Sequence, residues 1–182
     1  MDPDSPRRRS AASALVVALR PRQWTKNAFV FAALVLTGRP SDPAFPRQAG
    51  ATALAFVLFC AASSAVYLLN DLADIDQDRL HPEKRRRPLA AGELPARVAW
   101  VAAAVLATAA IVGAVRLGAL EAAVICAYLA LQCAYTFVLK HLVILDVLVV
   151  AGGFVLRVLA GGAAIDRPIS PYLYLSMVFL AL

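Results

Sequence analysis

Long apolar stretches alternate with short polar segments along most of the chain. A helix that crosses a bilayer needs roughly 20 mostly apolar residues, and five stretches reach or approach that length: 27–37, 49–69, 98–115, 119–139 and 142–163. A sixth begins near Tyr172 and runs to the last residue, Leu182. The pattern predicts an all-α, polytopic membrane helix bundle.

Composition and charge placement agree with this prediction. Hydrophobic residues make up 61% of the chain and the mean hydropathy is +0.70, more apolar than an ordinary soluble domain. The net charge of +6 does not indicate a nucleic-acid-binding face, because the basic residues lie between the apolar stretches. They concentrate before the first stretch and after the second. The positive-inside rule therefore places the N-terminus and that second loop in the cytoplasm, and we expect a multi-pass plasma (inner) membrane protein.

Residues 1–26 are predicted to form a cytoplasmic N-terminus and an interfacial segment. A cleaved signal peptide is the alternative, because three arginines precede the apolar run 14–19. That run is short, is followed at once by Arg20, Arg22 and Lys26, and lacks a small-residue cleavage site. Residues 27–182 are expected to form one transmembrane domain.

Four acids fall within eight residues at the end of the second stretch: Asp71, Asp74, Asp76 and Asp78. On a continuous helix, Asp71, Asp74 and Asp78 share one stripe while Asp76 points away. Asn70 lies on the same face and can orient a carboxylate or a water. Converging carboxylates need a cation, and hard oxygen ligands suit Mg²⁺, which often shares its shell with substrate phosphates. The motif predicts a catalytic magnesium and diphosphate site with the three aspartates as ligands.

An EF-hand loop and a solvent-facing helix end are the alternatives for these acids. The spacing Asp74-x-Asp76-x-Asp78 resembles the start of an EF-hand loop, but Arg79 and Arg85 stand where glycine and glutamate are needed. The acids of a helix end can also simply face solvent. The segment that follows them favours the metal site over both.

A basic loop, residues 79–92, directly follows the acids. Such a tract is usually a positive-inside anchor or a patch that faces anionic lipid. Here it lies beside carboxylates and contains Pro82 and Pro88, so its cations are placed to hold a phosphorylated substrate opposite the metal. Lys84, Arg85 and Arg87 are the candidate phosphate ligands.

The run Asn-Asp-x-x-Asp-x-x-x-Asp, followed by His-Pro-x-Lys-Arg-x-Arg-Pro-x-Ala-Ala-Gly, resembles the first signature of the UbiA prenyltransferase superfamily. Arg86 falls on a position that varies in this pattern. Residues 19–27, and the stretch from 139 to the Gly-Phe-Val-Leu-Arg that ends at Arg157, are similar to the decaprenyl-phosphate phosphoribosyltransferase branch. Together these segments cover nearly the whole chain.

This resemblance implies a bundle of about nine spans around a cavity open to the cytoplasm and to lipid. It implies Mg²⁺-dependent transfer of 5-phosphoribose from phosphoribosyl diphosphate to a polyprenyl (decaprenyl) phosphate, in the synthesis of a cell-wall arabinose donor. Interfacial anchoring accounts for Arg20 and Lys26 equally well, and snorkelling accounts for Lys140. The further candidate substrate-binding residues are Arg20, Lys26, Asn27, Tyr135, Lys140, Asp146 and Arg157.

The superfamily carries a second aspartate-rich motif near the end of its sixth span, and this sequence stops before it. We therefore expect a bundle truncated after five to six of about nine spans, with little activity alone and a complementary C-terminal fragment as partner. Within the enzyme class, the alternative is a prenyl diphosphate-dependent aromatic prenyltransferase. In other classes, the alternatives are a divalent-cation transporter, which would need acids near mid-membrane on several helices, and a non-catalytic membrane scaffold.

Overall fold

The chain folds into helices joined by short loops. The computed structural model describes residues 9–138 and 143–167 and, beyond them, single positions of the C-terminal stretch; the side chains of 143–146 are not described. Every regular element in the described residues is a helix. In order they are α1 (Ala11–Ala18), a 3₁₀ segment (Pro21–Phe31), α2 (Ala32–Thr37), α3 (Phe45–Ala73), α4 (Ile75–Leu80), a 3₁₀ turn (Lys84–Arg86), α5 (Ala96–Leu117), α6 (Ala119–Phe137) and α7 (Val143–Ala164).

Within the described residues, four helices are long and apolar enough to cross a membrane: α3, α5, α6 and, over Val147–Ala164, α7. They coincide with the second to fifth predicted stretches, and the all-α membrane bundle is confirmed. α3 is longer than predicted, with 29 residues, and it extends past 49–69 at both ends. The predicted sixth stretch lies almost entirely outside the described residues.

The first predicted stretch, 27–37, is not one α-helix. Arg20 has a left-handed backbone, with φ 53° and ψ 59°, and Pro21 fixes the next φ and lacks an N–H. The chain therefore turns after α1 and continues as an 11-residue 3₁₀ segment. Such runs rarely exceed three or four residues, so tertiary contacts must hold this one. Hydropathy detected the apolar character of the stretch but not its backbone geometry.

α3 lies at the centre of the bundle and packs against α5, α6, α7 and the 3₁₀ segment. Its residues Phe59 and Ala62 share the main core with Ile125 and Tyr128 of α6. The 3₁₀ segment approaches α7 so closely that a Cβ on Gly161 would lie 1.9 Å from the carbonyl oxygen of Val30. Small residues permit this kind of backbone contact between membrane helices.

A second apolar cluster fixes the basic loop. Leu89 of the loop and Leu94, which follows it, are each 2% exposed and pack with Leu68 of α3 and with Ala14 and Ala18 of α1. Burial of large aliphatic side chains of this kind contributes about 1.5–3 kcal/mol for each residue. The cluster therefore holds the loop and α1 against the end of α3 that carries the aspartates.

Candidate active site

The acid motif does not lie on one continuous helix. α3 ends at Ala73, and Asp74 leaves helical geometry with φ −102° and ψ 7° before α4 begins. Two backbone bonds still cross the break, from Asp74 N to Asn70 O at 3.0 Å and from Asp78 N to Asp74 O at 2.8 Å. The prediction that the acids lie on one continuous helix is therefore wrong, although Asp71 and Asp78 still lie close together.

Arg87 joins the two buried aspartates. Asp71 and Asp78 are each 2% exposed. Nη1 of Arg87 donates to Oδ1 of Asp71 at 3.1 Å and to Oδ2 of Asp78 at 2.7 Å. Charge-assisted bonds are roughly twice as strong as neutral ones, and this guanidinium offsets the repulsion between the carboxylates. The acid motif and the basic loop therefore form one site.

Arg20 reaches the same carboxylate from the N-terminal part of the chain. Its Nη2 donates to Oδ1 of Asp71, and its guanidinium lies 4.9 Å from the ring centroid of Tyr67, within range of a cation–π interaction. The left-handed turn that aims Arg20 is held by Ser64, whose Oγ donates to the Leu19 carbonyl at 3.0 Å. Arg20 therefore contacts the same carboxylate as Arg87, and its role in substrate binding stays a prediction.

The other two aspartates differ in their surroundings. Asp74 is half-buried at the helix break. Asp76 has a side chain that is 87% exposed and pairs with Arg79 at 3.1 Å, which agrees with the prediction that it points away. Among the described residues, no three Asp, Glu, His or Cys side chains are grouped so that they could hold a metal ion. The oxygen donors suit Mg²⁺, but Arg87 bridges two of them.

Within the basic loop, the structure separates the predicted phosphate ligands. Arg87 points to the aspartates, whereas Lys84 and Arg85 are exposed on the 3₁₀ turn with Arg86. None of these three cations forms an ion pair with any described residue. Buried Pro88 follows Arg87 directly, and this fixes the point from which the Arg87 side chain extends.

A buried polar network surrounds Arg157. This arginine is 6% exposed; its Nε donates to Oδ1 of Asn27 at 2.8 Å and its Nη2 to the hydroxyl of Tyr128 at 3.1 Å. Asn27, which is fully buried, also donates to Oγ of Ser63 at 3.2 Å. No carboxylate among the described residues pairs with Arg157. Asn27 and Arg157 thus bond to each other and join the 3₁₀ segment to α7.

Three of the remaining predicted site residues have described side chains. Asn70 is half-buried beside the helix break, Tyr135 is half-buried near the end of α6, and Lys26 is exposed on the 3₁₀ segment. Lys140 lies outside the described residues. Asp146 belongs to the first turn of α7, but its side chain is also outside the described part, so its alignment with Arg157 stays a prediction.

A cavity of about 370 Å³ opens beside Asp71. Its walls come from α1, the basic loop and the aspartate end of α3. We call it the arginine pocket; it is lined by Arg9, Val17, Ala18, Arg20, Asp71, Glu83, Arg86, Arg87 and Pro88. A second cavity, of about 390 Å³, lies at the opposite end of α3 beside Arg47 and Arg116. The arginine pocket is the more relevant of the two because it adjoins the carboxylates.

Comparison with known families settles the family. Residues 27–182 match the UbiA prenyltransferase family, which is most of the chain. This chain belongs to the UbiA prenyltransferase family. The resemblance predicted from the acid motif and the basic loop is therefore confirmed.

Relatives of this UbiA-family chain include two mycobacterial proteins that share one name. The decaprenyl-phosphate phosphoribosyltransferase of Mycolicibacterium smegmatis is 44% identical over 172 residues, which are 94% of this chain and 54% of the relative. The protein of that name in Mycobacterium tuberculosis is 42% identical over 166 residues, which are 91% of this chain and 55% of the relative. The chain therefore spans just over half the length of these relatives.

A solved structure supports the fold. The structure of a UbiA homologue from Archaeoglobus fulgidus, bound to DMAPP and Mg²⁺, matches with a TM-score of 0.76 at 21% sequence identity. The match covers 92% of this chain and 60% of that one. It shows that the described helices adopt the UbiA arrangement.

Several residues near the site of this UbiA-family chain were not predicted from its sequence. Trp24 donates from Nε1 to Oγ of Ser64 at 3.0 Å, and Tyr128 bonds to Arg157. The adjacent serines 63 and 64 inside an apolar helix were the available signal, because hydroxyls in membrane helices usually have a partner on a neighbouring helix. Tyr67, one turn before Asp71, carried a similar signal.

Proposed function

We propose that the protein to which this chain belongs transfers 5-phosphoribose from phosphoribosyl diphosphate to a polyprenyl phosphate such as decaprenyl phosphate. The observation that carries this proposal is the joining of Asp71 and Asp78 to Arg20 and Arg87 in one buried site. Carboxylates suit a metal ion and guanidiniums suit phosphate oxygens. The names of the relatives support the choice of substrates.

In this proposal, the acidic and the basic residues of the site have different roles. Once Arg87 has released Asp71 and Asp78, these two aspartates and Asp74 would hold Mg²⁺, which would supply the positive charge that neutralises the diphosphate leaving group. One nitrogen of Arg87, Nη1, bonds to both aspartates. Arg87 must therefore exchange these carboxylates for phosphate oxygens when the donor binds. Arg20 keeps one carboxylate oxygen oriented and places a second cation beside the donor.

The transfer itself requires little proton chemistry. The bond from carbon 1 of the ribose to the diphosphate oxygen breaks, and diphosphate leaves with the electron pair. A lipid phosphate oxygen, already an anion, forms the new bond to carbon 1, which gives polyprenyl-phosphoryl-5-phosphoribose. Positioning and charge neutralisation supply the acceleration in such a step.

The proposed location follows from the charges. The arginines of the N-terminus and of the basic loop lie at the aspartate end of α3, and the positive-inside rule assigns this end to the cytoplasm. A water-soluble diphosphate donor is available on that side. We propose the plasma membrane as the site of action and cell-wall synthesis as the process.

Donor binding by this chain tests the proposal without requiring turnover. Membranes containing the chain are incubated with labelled phosphoribosyl diphosphate and Mg²⁺, and the retained label is competed with unlabelled geranyl diphosphate. We expect retention that requires Mg²⁺, resists geranyl diphosphate and falls at least tenfold in Asp71→Asn, because a buried carboxylate is lost beside two guanidiniums. Turnover with polyprenyl phosphate is measured in parallel.

The matched control is Asp76→Asn, which removes one charge from an exposed aspartate of the same motif. It should retain the donor as the parent chain does. Displacement by geranyl diphosphate, with prenylation of an aromatic acceptor, would favour the aromatic prenyltransferase instead. Equal retention by Asp71→Asn and the parent chain would reject the site.

A further inference from the structure

The arginine pocket has guanidiniums that the acid motif does not occupy. Four arginines line it, Arg9, Arg20, Arg86 and Arg87, against the two carboxylates of Asp71 and Glu83. Two further carboxylates pair with these arginines from outside the lining, Asp78 with Arg87 and Glu93 with Arg9. Within the described part of the chain, Arg86 is therefore the lining arginine without an ion pair, and guanidiniums suit phosphate oxygens.

Two of the four arginines are available for such a ligand. Arg20 and Arg87 are already bonded to Asp71. Arg9 is paired only at 3.3 Å, with Glu93, and its side chain is 45% exposed. Arg86 has no ion pair within the described part of the chain. The guanidiniums most accessible to a ligand are thus those of Arg9 and Arg86.

The wall next to these arginines is apolar. α1 contains no charged residue; it buries Ala14 and Ala18 against the bundle and leaves Val16 55% and Val17 42% exposed. Val17 also lines the pocket. With 8 residues, α1 is too short to span a bilayer, and an apolar helix of this length is suited to the membrane interface. The pocket thus joins a cationic head site to a lipid-facing surface.

We propose that the arginine pocket binds the phosphate monoester head of a lipid, with Arg9 and Arg86 on the phosphate and the hydrocarbon chain along Val16 and Val17. This inference rests on the proposed function, in which a polyprenyl phosphate is the acceptor. Asp71 belongs to both the pocket and the acid site, so a phosphate held there lies next to the position proposed for the donor. The pocket is then the acceptor subsite.

The test is equilibrium binding to the purified chain in phosphatidylcholine nanodiscs, with EDTA and without donor. The probes are farnesyl phosphate, farnesol and ribose 5-phosphate. We expect farnesyl phosphate to bind at least tenfold more tightly than either of the others. Arg86→Gln should weaken it about tenfold, the usual effect of losing a hydrogen bond to a charged group. Arg97→Gln, an exposed cation outside the pocket, should change it less than twofold.

Each contrary result has a definite meaning. Equal weakening by Arg86→Gln and Arg97→Gln, or none by either, overturns the pocket assignment. Ribose 5-phosphate binding as tightly as farnesyl phosphate, with dependence on Arg86, assigns the pocket to a soluble phosphate and overturns the lipid. Farnesol binding equally well shows partition into the nanodisc and also overturns it. Because donor and metal are absent, failure of phosphoribosyl transfer leaves this result unchanged.

Discussion

Gly161 is the position where the bundle is most sensitive to one added methyl group. A Cβ there would lie 1.9 Å from the carbonyl oxygen of Val30 and 2.9 Å from its carbonyl carbon. An ordinary carbon–oxygen contact is roughly 3.4 Å, so Gly161→Ala requires α7 and the 3₁₀ segment to separate by about 1.5 Å. Both contacting atoms belong to backbone, which has no rotamer that would relieve the clash.

The separation also acts on the buried polar network. Arg157 lies four residues before Gly161 on α7, and its bond to Asn27 of the 3₁₀ segment is 2.8 Å long. An increase of this size breaks the bond. Overpacking costs about 1–3 kcal/mol and loss of a hydrogen bond to a charged group about 1.5–3 kcal/mol. Better helix propensity returns up to about 1 kcal/mol. We expect a net loss of about 1.5–6 kcal/mol, with a centre near 4 kcal/mol.

Thermal unfolding in detergent measures this loss. For a chain of this length, each kcal/mol shifts Tm by roughly 2–4 °C, so the central loss of about 4 kcal/mol should lower the Tm of Gly161→Ala by about 8–16 °C. In a Trp100→Phe background, Trp24 is the only tryptophan. It lies in the 3₁₀ segment and bonds to Ser64. The fluorescence of Trp24 should show that its indole becomes more exposed to solvent before the bundle as a whole unfolds.

Gly50→Ala is the matched control, because an added Cβ at Gly50 meets no atom within 4 Å. It receives the same gain in helix propensity without a clash, so its Tm should equal or exceed that of the parent. If Gly161→Ala melted as high as Gly50→Ala, the close contact with Val30 would not hold the 3₁₀ segment.

Two further substitutions test the charges in the bundle. Arg87→Gln removes the cation that joins Asp71 and Asp78. We expect retention of labelled donor to fall more than tenfold in the membrane assay. Unchanged retention would show that Arg87 is not needed for donor binding. Glu121 is 1% exposed, and neither of its carboxylate oxygens has a partner among the described residues. Because burying an unpaired charge is costly, Glu121→Gln should hold or raise Tm in detergent, and a clear drop would indicate that the carboxyl is needed.

Much of the fold could be predicted because membrane helices follow simple physics. Every backbone polar group in lipid must be bonded within the chain, so an apolar stretch of sufficient length is a helix. The apolar stretches therefore located α3, α5, α6 and α7 to within a few residues. They also placed the acids and the basic loop at one end of α3, where the structure joins them through Arg87.

The 3₁₀ segment and the break at Asp74 could not be predicted in this way. Helical period and hydropathy do not distinguish a 3₁₀ helix held by tertiary contacts from an α-helix, and the bonds of Asn27 to residues 36 and 130 positions away depend on packing. No glycine or proline marks the break. The residue at the break is Asp74, and an aspartate side chain competes with the helix for hydrogen bonds to the backbone. Arg20-Pro21 was the one local signal of the turn.

The pairing of charges in the site affects how ligands bind. Asp71 and Asp78 are balanced by Arg20 and Arg87, so the buried site is nearly neutral before any ligand arrives. Mg²⁺ alone would face two guanidiniums, and a diphosphate alone would face two carboxylates; each would leave a poorly compensated buried charge. If the two bound as a complex, the carboxylates would hold the metal and the guanidiniums would hold the diphosphate. Under the proposed function, metal and donor therefore bind as a pair, and each raises the affinity of the other by the same factor.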